Sequence, residues 1–447
     1  MTTPDASEKD RWLSPDEVRP VLFAAGYFFC VLSGIMVLRP LREAMGLASG
    51  DIDKIRWLFA GTAGAMLLAT FVIGWLVARF RRSVFIGIAH RAMCLGLFAA
   101  WLMLQLAPEQ ASKQTGAAYY VFHSVMNLLV VSLFWSVAAD CFTYAQSKRL
   151  FPPIAIGGTL GAICGTLITQ RLTRMEGFDV RHLFLVAIGF LEIAVWLSAA
   201  TARAAAKQPI DQTTRLTSTN ERIIGGSAWQ GVTDVAKSPY LLGIAAFPVL
   251  TSIVSTVLYF TDNRLISAES TRQMHEAIAN GMSDLDAAAL RHRVNTHLWA
   301  TINLWGQIGT LCAQLFLTSG IIRFLGVGAA LATMPIYAIG GVVGLAVSPT
   351  LTAAMWIEGG FRATERGIMK PALATLYTVV PPAQRYKAKA FIDTFITRGT
   401  DTGSAFLEGK LKALNAVWAV PAVVVPLALG ATGMSWWLSA QQRKRAN

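Results

Sequence analysis

Long apolar stretches alternate with short polar segments along most of the chain, and this pattern predicts a bundle of membrane-spanning helices. A helix needs about 20 mainly apolar residues to cross the bilayer core. The first half contains six such spans: Pro20–Leu38, Trp57–Ala78, Val84–Leu106, Ala118–Ala139, Pro153–Leu172 and Leu183–Thr201. The second half contains six more: Tyr240–Tyr259, Leu298–Gly320, Leu325–Val347, Leu351–Val379, Phe391–Leu414 and Val417–Leu438. The tenth and eleventh spans carry enough charge that a hydropathy window would miss them.

A polar linker divides these spans into two groups of six. We therefore predict an all-α polytopic membrane protein with the following parts: an N-terminal segment (1–19), a six-helix half (20–202), a linker (203–238), a second six-helix half (239–438) and a basic tail (439–447). A basic amphipathic segment follows both the fourth and the tenth span, and each segment leads into a glycine-bearing span. Such correspondence between halves is expected of a transporter that contains an internal repeat.

The composition agrees with a membrane protein and changes the interpretation of the charge. The chain is 54% hydrophobic and 15% charged, whereas soluble domains average about 25% charged residues. The formal net charge of +13 comes mainly from short loops between spans, where the positive-inside rule places Lys and Arg. The charge therefore predicts no nucleic-acid partner, and its distribution predicts that both termini are cytoplasmic. The polar start of the chain predicts an uncleaved first span.

No motif for an enzyme, a metal or a cofactor is recognisable. The five cysteines show no CxxC spacing, the six histidines show no zinc spacing, and no GxxxxGK[ST] phosphate loop occurs. We therefore expect no metal, no cofactor and no enzymatic activity. Gly157-xxx-Gly161-xxx-Gly165 and Gly340-xxx-Gly344 predict close helix packing rather than ligand binding.

The most informative chemistry is a row of charges inside the tenth span. Glu358, Arg362, Arg366 and Lys370 follow one another at four-residue steps, so a regular α-helix would carry them as a ladder about 18 Å tall. Each charge costs about 2.5–3.5 kcal/mol at a helix centre, and a Leu offsets only about 0.5. The helix must therefore face a protein-walled cavity. Pairing of Arg362 with Glu358 or Glu365 is one reading, and an anion site with surplus positive charge is the other.

Further charges lie at the far end of the first span. Arg39 and Arg42 flank Pro40, which would disturb the helix and free backbone groups to face a cavity. Both arginines would then meet substrate, with Glu43 as their partner. A snorkelling external rim is the alternative.

Two other spans contain intramembrane charge. Glu192, near the middle of the sixth span, is a candidate for proton coupling, or else for pairing with Arg91 or Arg398. The eleventh span adds Asp393, Arg398 and Asp401. The three-residue spacing of Arg398 and Asp401 predicts a structural ion pair.

The longest external loop is Asp262–Asn295. Within it, Glu269–His292 has the composition of a polar, Ala-rich helix. A solvated hairpin and a lid over the cavity are both compatible with this composition.

The loop after the second span resembles a known transporter motif. Gly74–Arg82 partly matches the G-x-L-x-D-R-x-G-R-R loop of the major facilitator superfamily, and Gly74, Leu76, Arg79 and Arg82 coincide with it. Ala78 and Arg81 replace the Asp and the second Gly of that motif.

Longer segments are similar to the ATP/ADP translocase (Tlc-type nucleotide transporter) family, in its shorter form from free-living bacteria. They are Leu38–Gly46, Phe134–Gly158 and Lys370–Asp401, in the order expected for that family. The resemblance implies a twelve-helix, facilitator-like fold and exchange of ATP for ADP plus phosphate. The chain departs from the family pattern at Leu373-Ala374, where an Arg-Glu pair is common, and at Arg39-Pro40, where established exchangers carry Lys-Asp.

Together these features predict a secondary transporter of the bacterial inner membrane that works by alternating access. Its partners would be the lipid bilayer and an anionic solute, a nucleotide or another phosphorylated or organic anion, with exchange as the expected mode and protons as a possible coupling ion. The substrate-binding residues would be Arg39, Arg42, Arg362, Arg366 and Lys370. The gate and coupling residues would be Glu43, Asp140, Lys148, Arg149, Glu192, Glu358, Lys387, Lys389, Asp393, Arg398 and Asp401.

Two alternatives stay open at this point. The first is a proton-coupled exporter of drugs or metabolites on the same fold, for which Glu192 would be essential. The second is a membrane receptor or assembly partner that moves no solute and binds through Glu269–His292.

Overall fold

A computed structural model describes the residues in the ranges 14–48, 52–79, 82–106, 109–142, 144–207, 229–381, 388–389, 391–413 and 419–446, together with residue 384. Within these ranges the protein is almost entirely helical and contains no β-strand. The first six helices are α1 (Pro15–Ala48), α2 (Ile52–Arg79), α3 (Arg82–Leu106), α4 (Glu109–Cys141), α5 (Tyr144–Arg174) and α6 (Leu183–Ala206).

Within the described residues, the second half begins with a short amphipathic helix and continues with seven further α-helices, besides a single α-helical turn at Thr318–Gly320. They are α7 (Trp229–Lys237), α8 (Pro239–Ala279), α9 (Asp284–Cys312), α10 (Gly326–Val347), α11 (Leu351–Ala363), α12 (Lys370–Leu376), α13 (Thr397–Ala413) and α14 (Ala419–Ala446). Wider π-helical turns occur at Ala313–Leu317, Ile321–Leu325, Thr364–Met369 and Ile392–Ile396.

The lengths and apolarity of these helices confirm an all-α polytopic membrane protein. Eight stretches of the described chain are long and apolar enough to cross a membrane. One of them, Asp284–Val347, holds both α9 and α10, so the eight stretches account for nine of the twelve predicted spans. As expected, the charged tenth and eleventh spans are not among them.

Contacts divide the chain into two compact units. The first comprises Met1–Arg42 and Leu68–Ile223, and the second comprises Glu43–Leu67 and Ile224–Asn447. The end of α1 and the first part of α2 therefore belong with the second unit. The physical reason is an apolar cluster in which Leu47 and Ile55 pack with Phe260, Trp299 and Ala405.

In the first unit, α5 packs directly on the backbone of α1. A Cβ at Gly157 would lie 2.6 Å from the carbonyl oxygen of Ala25, and a Cβ at Gly161 would collide with the carbonyl of Phe29. Across the same contact, Ser33 Oγ donates to the Gly161 carbonyl at 3.0 Å. The predicted packing role of this glycine series is confirmed.

The packing predicted for Gly340-xxx-Gly344 is only partly correct. Among the described residues, a Cβ at Gly340 in α10, like one at Gly399 or Gly403 in α13, would meet no atom within 4 Å. The close contact of α10 is made one residue later, where a Cβ at Gly341 would lie 2.6 Å from Ile357 Cγ2. The glycines of the fifth and eleventh spans therefore do not play the same packing role.

The prediction of a single helix at Glu269–His292 is wrong. Helix α8 continues to Ala279, and α9 begins at Asp284 after a turn in which Gly281 has φ 91°. The segment is a largely exposed helical hairpin, so the hairpin reading holds. Asp262, predicted to start an external loop, is instead buried inside α8.

Candidate functional site

Small residues bring α9 and α11 close together in the second unit. A Cβ at Gly306 would lie 3.3 Å from Arg362 Cβ, and one at Gly309 would lie 2.8 Å from Ala363 Cβ. Glycine allows such approach because it has no side chain between the two backbones. The close contact places the base of the Arg362 side chain directly against α9.

Arg362 is the centre of a buried polar cluster. Its Nε donates to Glu358 Oε1 at 2.6 Å, and its Nη1 donates to Asn303 Oδ1 at 2.7 Å. Its guanidinium carbon lies 5.5 Å from the centre of the Trp299 ring. Only 4% of Arg362 and 5% of Glu358 is exposed. Arg362 was predicted to bind substrate, but in this structure it forms the internal ion pair that was the alternative.

A second carboxyl group stands beside this ion pair. Asp262 of α8 is 2% exposed and interacts with both Glu358 and Arg362. Neither Asp262 Oδ2 nor Glu358 Oε2 receives a hydrogen bond from the described residues. The cluster thus contains two buried carboxyl groups around one guanidinium.

Glu43 adds a third carboxyl group at the edge of this cluster. It is buried at the end of α1, and its Oε2 accepts a hydrogen bond of 2.5 Å from the Tyr259 hydroxyl of α8. Glu43 also interacts electrostatically with Arg362. Its contact with Tyr259 was not predicted, because the sequence suggested Arg39 and Arg42 as its partners.

The predicted charge ladder is interrupted by the π-helical turn Thr364–Met369. A π-helix bonds residues five apart, so the turn rotates the residues that follow it relative to a regular α-helix. Glu365 and Lys370, five residues apart, form an ion pair at 2.9 Å. Lys370, predicted to bind substrate, therefore has a carboxylate partner in its own helical segment.

Arg366 lies within the same π-helical turn and differs from its charged neighbours. It is partly buried, and its guanidinium makes no hydrogen bond or ion pair within the part of the chain that the structure describes. Its guanidinium is attracted electrostatically by Glu365 and Glu358 and repelled by Arg362. Of the four ladder residues, Arg366 therefore has its donors open to a ligand.

A separate ion cluster lies on α2, α8 and α13. Glu408, 2% exposed, accepts a hydrogen bond of 2.8 Å from Arg56 and forms an ion pair with Arg264. Arg56 also donates to the Ala405 carbonyl at 2.9 Å. This cluster ties the start of α2 to α13 inside the second unit.

We expect Glu408→Gln to lower the thermal stability of the purified protein in detergent. The substitution leaves the buried Arg56 and the partly buried Arg264 without their carboxylate, and hydrogen bonds to charged groups contribute about 1.5–3 kcal/mol each. The matched control is Glu276→Gln, which removes an exposed ion pair of the hairpin and should change stability by about 1 kcal/mol or less. Equal melting temperatures for the two variants would contradict this role.

In the first unit, the predicted substrate arginines lie on an unbroken helix. Helix α1 runs through Pro40 to Ala48, so the predicted disturbance at Pro40 is wrong. Two side chains of α4 contact the backbone of α1 before this proline: Tyr119 Oη donates to the Leu38 carbonyl at 3.2 Å, and a His123 ring nitrogen lies 3.2 Å from the Ile35 carbonyl. Side chains of α4 thus form polar contacts with backbone carbonyls of α1 near Pro40.

Arg42 rests on an aromatic ring of the same unit. Its guanidinium carbon lies 3.7 Å from the centre of the Tyr120 ring, and its Nε donates to the Tyr120 carbonyl at 3.4 Å. Arg39 is partly buried and lies close enough to His123 to interact with it electrostatically. The contacts of Arg42 and Arg39 with these side chains do not indicate that either arginine binds substrate.

Glu192 of α6 is partly buried and faces α3. It interacts with Cys94 and His90, and it forms no ion pair with Arg91 within the described residues. The predicted pairing with Arg91 is therefore wrong, because the α3 side chains that interact with Glu192 are a thiol and an imidazole.

The predicted gate residues have separate surroundings. Arg149 forms an ion pair of 2.6 Å with Glu17 at the start of α1. Arg398 Nη1 lies 3.5 Å from Asp401 Oδ2, which confirms that pair, and Asp401 also accepts a hydrogen bond from Ser252.

The remaining predicted gate residues are less informative. Lys389 Nζ lies 5.4 Å from the centre of the Tyr377 ring, and Asp140 is exposed near the end of α4. Lys387 and the side chains of Lys148 and Asp393 lie outside the described residues.

Several residues of the buried cluster were missed from the sequence. Asp262 was assigned to a loop because the polar run Thr261-Asp262-Asn263-Arg264 ends the apolar stretch. Asn303 is an uncharged residue of the eighth span, and Glu408 is a further charged residue of the eleventh span; neither was singled out. An intramembrane carboxylate such as Glu408 was a usable signal, since such residues are rare and face the protein interior.

No protein-family model matches the chain, and no curated protein matches it in sequence. Solved structures do resemble it. The nucleoside transporter NupG has a TM-score of 0.57 and 13% identity, covering 96% of this chain and 99% of NupG. The chain has the fold of the major facilitator transporters.

Two further facilitator structures agree. The inward-open xylose transporter XylE from E. coli has a TM-score of 0.57 and 13% identity over 92% of this chain and 94% of XylE. A bacterial homologue of the human lysosomal transporter Spinster has a TM-score of 0.54 and 13% identity over 97% of both chains. These likenesses establish the facilitator fold and do not single out the ATP/ADP translocase family.

Proposed function

We propose that this facilitator-fold protein is a secondary transporter of the bacterial inner membrane that moves an anionic solute by alternating access. Its fold is one in which two helical halves present a binding site to either side of the membrane in turn. The observation that carries the anionic solute is Arg366, whose guanidinium has no hydrogen-bond partner among the described residues.

The position of Arg366 makes a lipid-facing role costly. It lies in a predicted membrane span between Arg362 and Lys370, each of which already has a carboxylate partner. A guanidinium exposed to hydrocarbon costs at least about 2.5–3.5 kcal/mol, so Arg366 should face a water-accessible space walled by protein. Its forked donors suit phosphate or carboxylate oxygens.

The π-helical turn gives a reason for the position of these donors. Single π-helical turns inside α-helices often occur at functional sites. Here the turn is held from outside, because Thr318 Oγ1 donates to the Gly367 carbonyl at 2.6 Å. The turn presents Arg366 while its neighbours Glu365 and Lys370 neutralise one another.

The choice of a nucleotide, and of ATP/ADP-type exchange, rests on the similarity of Leu38–Gly46, Phe134–Gly158 and Lys370–Asp401 to the ATP/ADP translocases. A phosphate-bearing solute fits the donors of Arg366. Other phosphorylated or organic anions fit them as well, so the solute class is the first property to test.

Thermal stabilisation of the purified protein by a panel of solutes tests this class. ATP, ADP, inorganic phosphate, citrate and uncharged uridine would be compared at equal concentration. We expect at least one anion to raise the melting temperature and uridine to leave it unchanged. In Arg366→Gln the affinity for that anion should fall about ten- to hundredfold, the equivalent of about 1.5–3 kcal/mol for a charge-assisted hydrogen bond.

The matched control for this panel is Arg272→Gln in the exposed hairpin, which should bind the anion as the wild type does. Stabilisation by uridine alone would contradict the anionic solute. Unchanged anion affinity in Arg366→Gln would contradict the site.

A further inference from the structure

Two carboxyl groups in the buried cluster of the second unit each have an oxygen without a donor. Asp262 lies on α8 and Glu358 on α11, and their side chains interact directly. Asp262 Oδ2 and Glu358 Oε2 are buried and receive no hydrogen bond from the described residues. A buried carboxylate oxygen without a donor is costly, and one proton between two such oxygens would satisfy both.

The charge balance of the cluster also favours one proton between the two carboxyl groups. Arg362 is the guanidinium in contact with the pair, and it donates to Glu358 Oε1 and to Asn303. One cation neutralises one carboxylate. A second carboxylate ionised beside the first would be an uncompensated buried charge, which costs several kcal/mol.

The groups around the pair do not supply the missing positive charge. Glu43, held by the Tyr259 hydroxyl, adds negative charge from the end of α1. From α10, Tyr337 faces Glu358, and from the π-helical turn Arg366 reaches Glu358 only electrostatically. On α13 the nearest described ion cluster is separate from the pair, because Glu408 binds Arg56 and Arg264 there.

We propose that Asp262 and Glu358 share one exchangeable proton and form the proton-binding site of this protein, in place of Glu192. The role of that proton in coupling rests on the proposed transport function, whereas its binding does not.

The proton and an anionic solute should favour one another. When the proton leaves to water, both carboxyl groups are ionised around Arg362, and the cluster gains one negative charge. An anion bound at Arg366 repels that charge and so favours the protonated pair. By linkage the protonated pair favours anion binding to the same extent.

Infrared difference spectroscopy of the purified protein at neutral pH tests the shared proton without any solute. We expect the wild type to show the carbonyl stretch of a protonated carboxylic acid, shifted in D2O. Asp262→Asn and Glu358→Gln should each abolish it, because either change leaves one carboxylate for one guanidinium. Glu192→Gln should retain the band. If Glu358→Gln does not fold, Asp262→Asn decides alone, since it keeps the Arg362–Glu358 ion pair.

The inference is overturned if the band survives Asp262→Asn, or if Glu192→Gln removes it. It is also overturned if the wild type shows no band in sodium buffer and gains one when choline replaces sodium, because the pair would then bind sodium. The spectra contain no solute, so a failure to bind ATP would leave this result standing, and loss of the band would leave anion binding at Arg366 untouched.

Discussion

Arg362→Leu should destabilise the protein by about 3–5 kcal/mol, the usual cost of leaving one member of a buried ion pair without its partner. In this variant Glu358 and Asp262 would remain in the protein interior without a guanidinium, and Asn303 would lose its donor. We expect a large fall in the melting temperature in detergent, with loss of the monodisperse peak in size-exclusion chromatography.

Arg366→Leu, four residues further along, is the matched control. Arg366 has no hydrogen bond or ion pair within the described residues, so its removal should leave the melting temperature close to that of the wild type and reduce anion binding. The two arginines are thus expected to separate stability from ligand binding. The account of the cluster fails if Arg362→Leu is as stable as Arg366→Leu.

The second large effect is expected at the contact between α1 and α5. Gly161→Leu would place a branched side chain where even a Cβ collides with the Phe29 carbonyl. Overpacking normally costs about 1–3 kcal/mol, and a backbone obstacle relaxes less readily than a side chain. We expect little or no folded protein, measured as the yield of monodisperse material and its melting temperature.

Gly189→Leu in α6 provides the comparison, because a Cβ there would meet no atom of the described residues within 4 Å. This variant should express and melt like the wild type. If both glycine variants lose the fold, the effect belongs to glycine substitution in these helices generally and not to the α1–α5 contact.

The pattern of apolar residues was sufficient to predict the fold, because twelve long apolar stretches permit little besides a helical membrane bundle. It also predicted the packing of Gly157, Gly161 and Gly165, whose four-residue spacing places them on one helix face. The position of Arg362 between two carboxylates limited its role to two alternatives, and the structure distinguishes them.

The remaining features depend on information that periodicity does not contain. The π-helical turn Thr364–Met369 changes which residues are neighbours, and four-residue spacing assumes a regular helix. Asp262 lies in a polar run after a long apolar stretch of α8 and therefore resembles a loop residue, yet it is buried beside Glu358 and Arg362 of α11. The contacts of Tyr119 and His123 with the backbone of α1 join residues that are distant in sequence.

The most direct test of anion transport through Arg366 is uptake of labelled ATP into proteoliposomes at equal pH on both sides. The lumen would contain ADP, phosphate or buffer alone. We predict that a loaded lumen accelerates uptake, that Arg366→Gln abolishes this acceleration, and that Arg272→Gln retains it. Uptake that is flat in every lumen would contradict a nucleotide exchanger, and acceleration that persists in Arg366→Gln would contradict the proposed site.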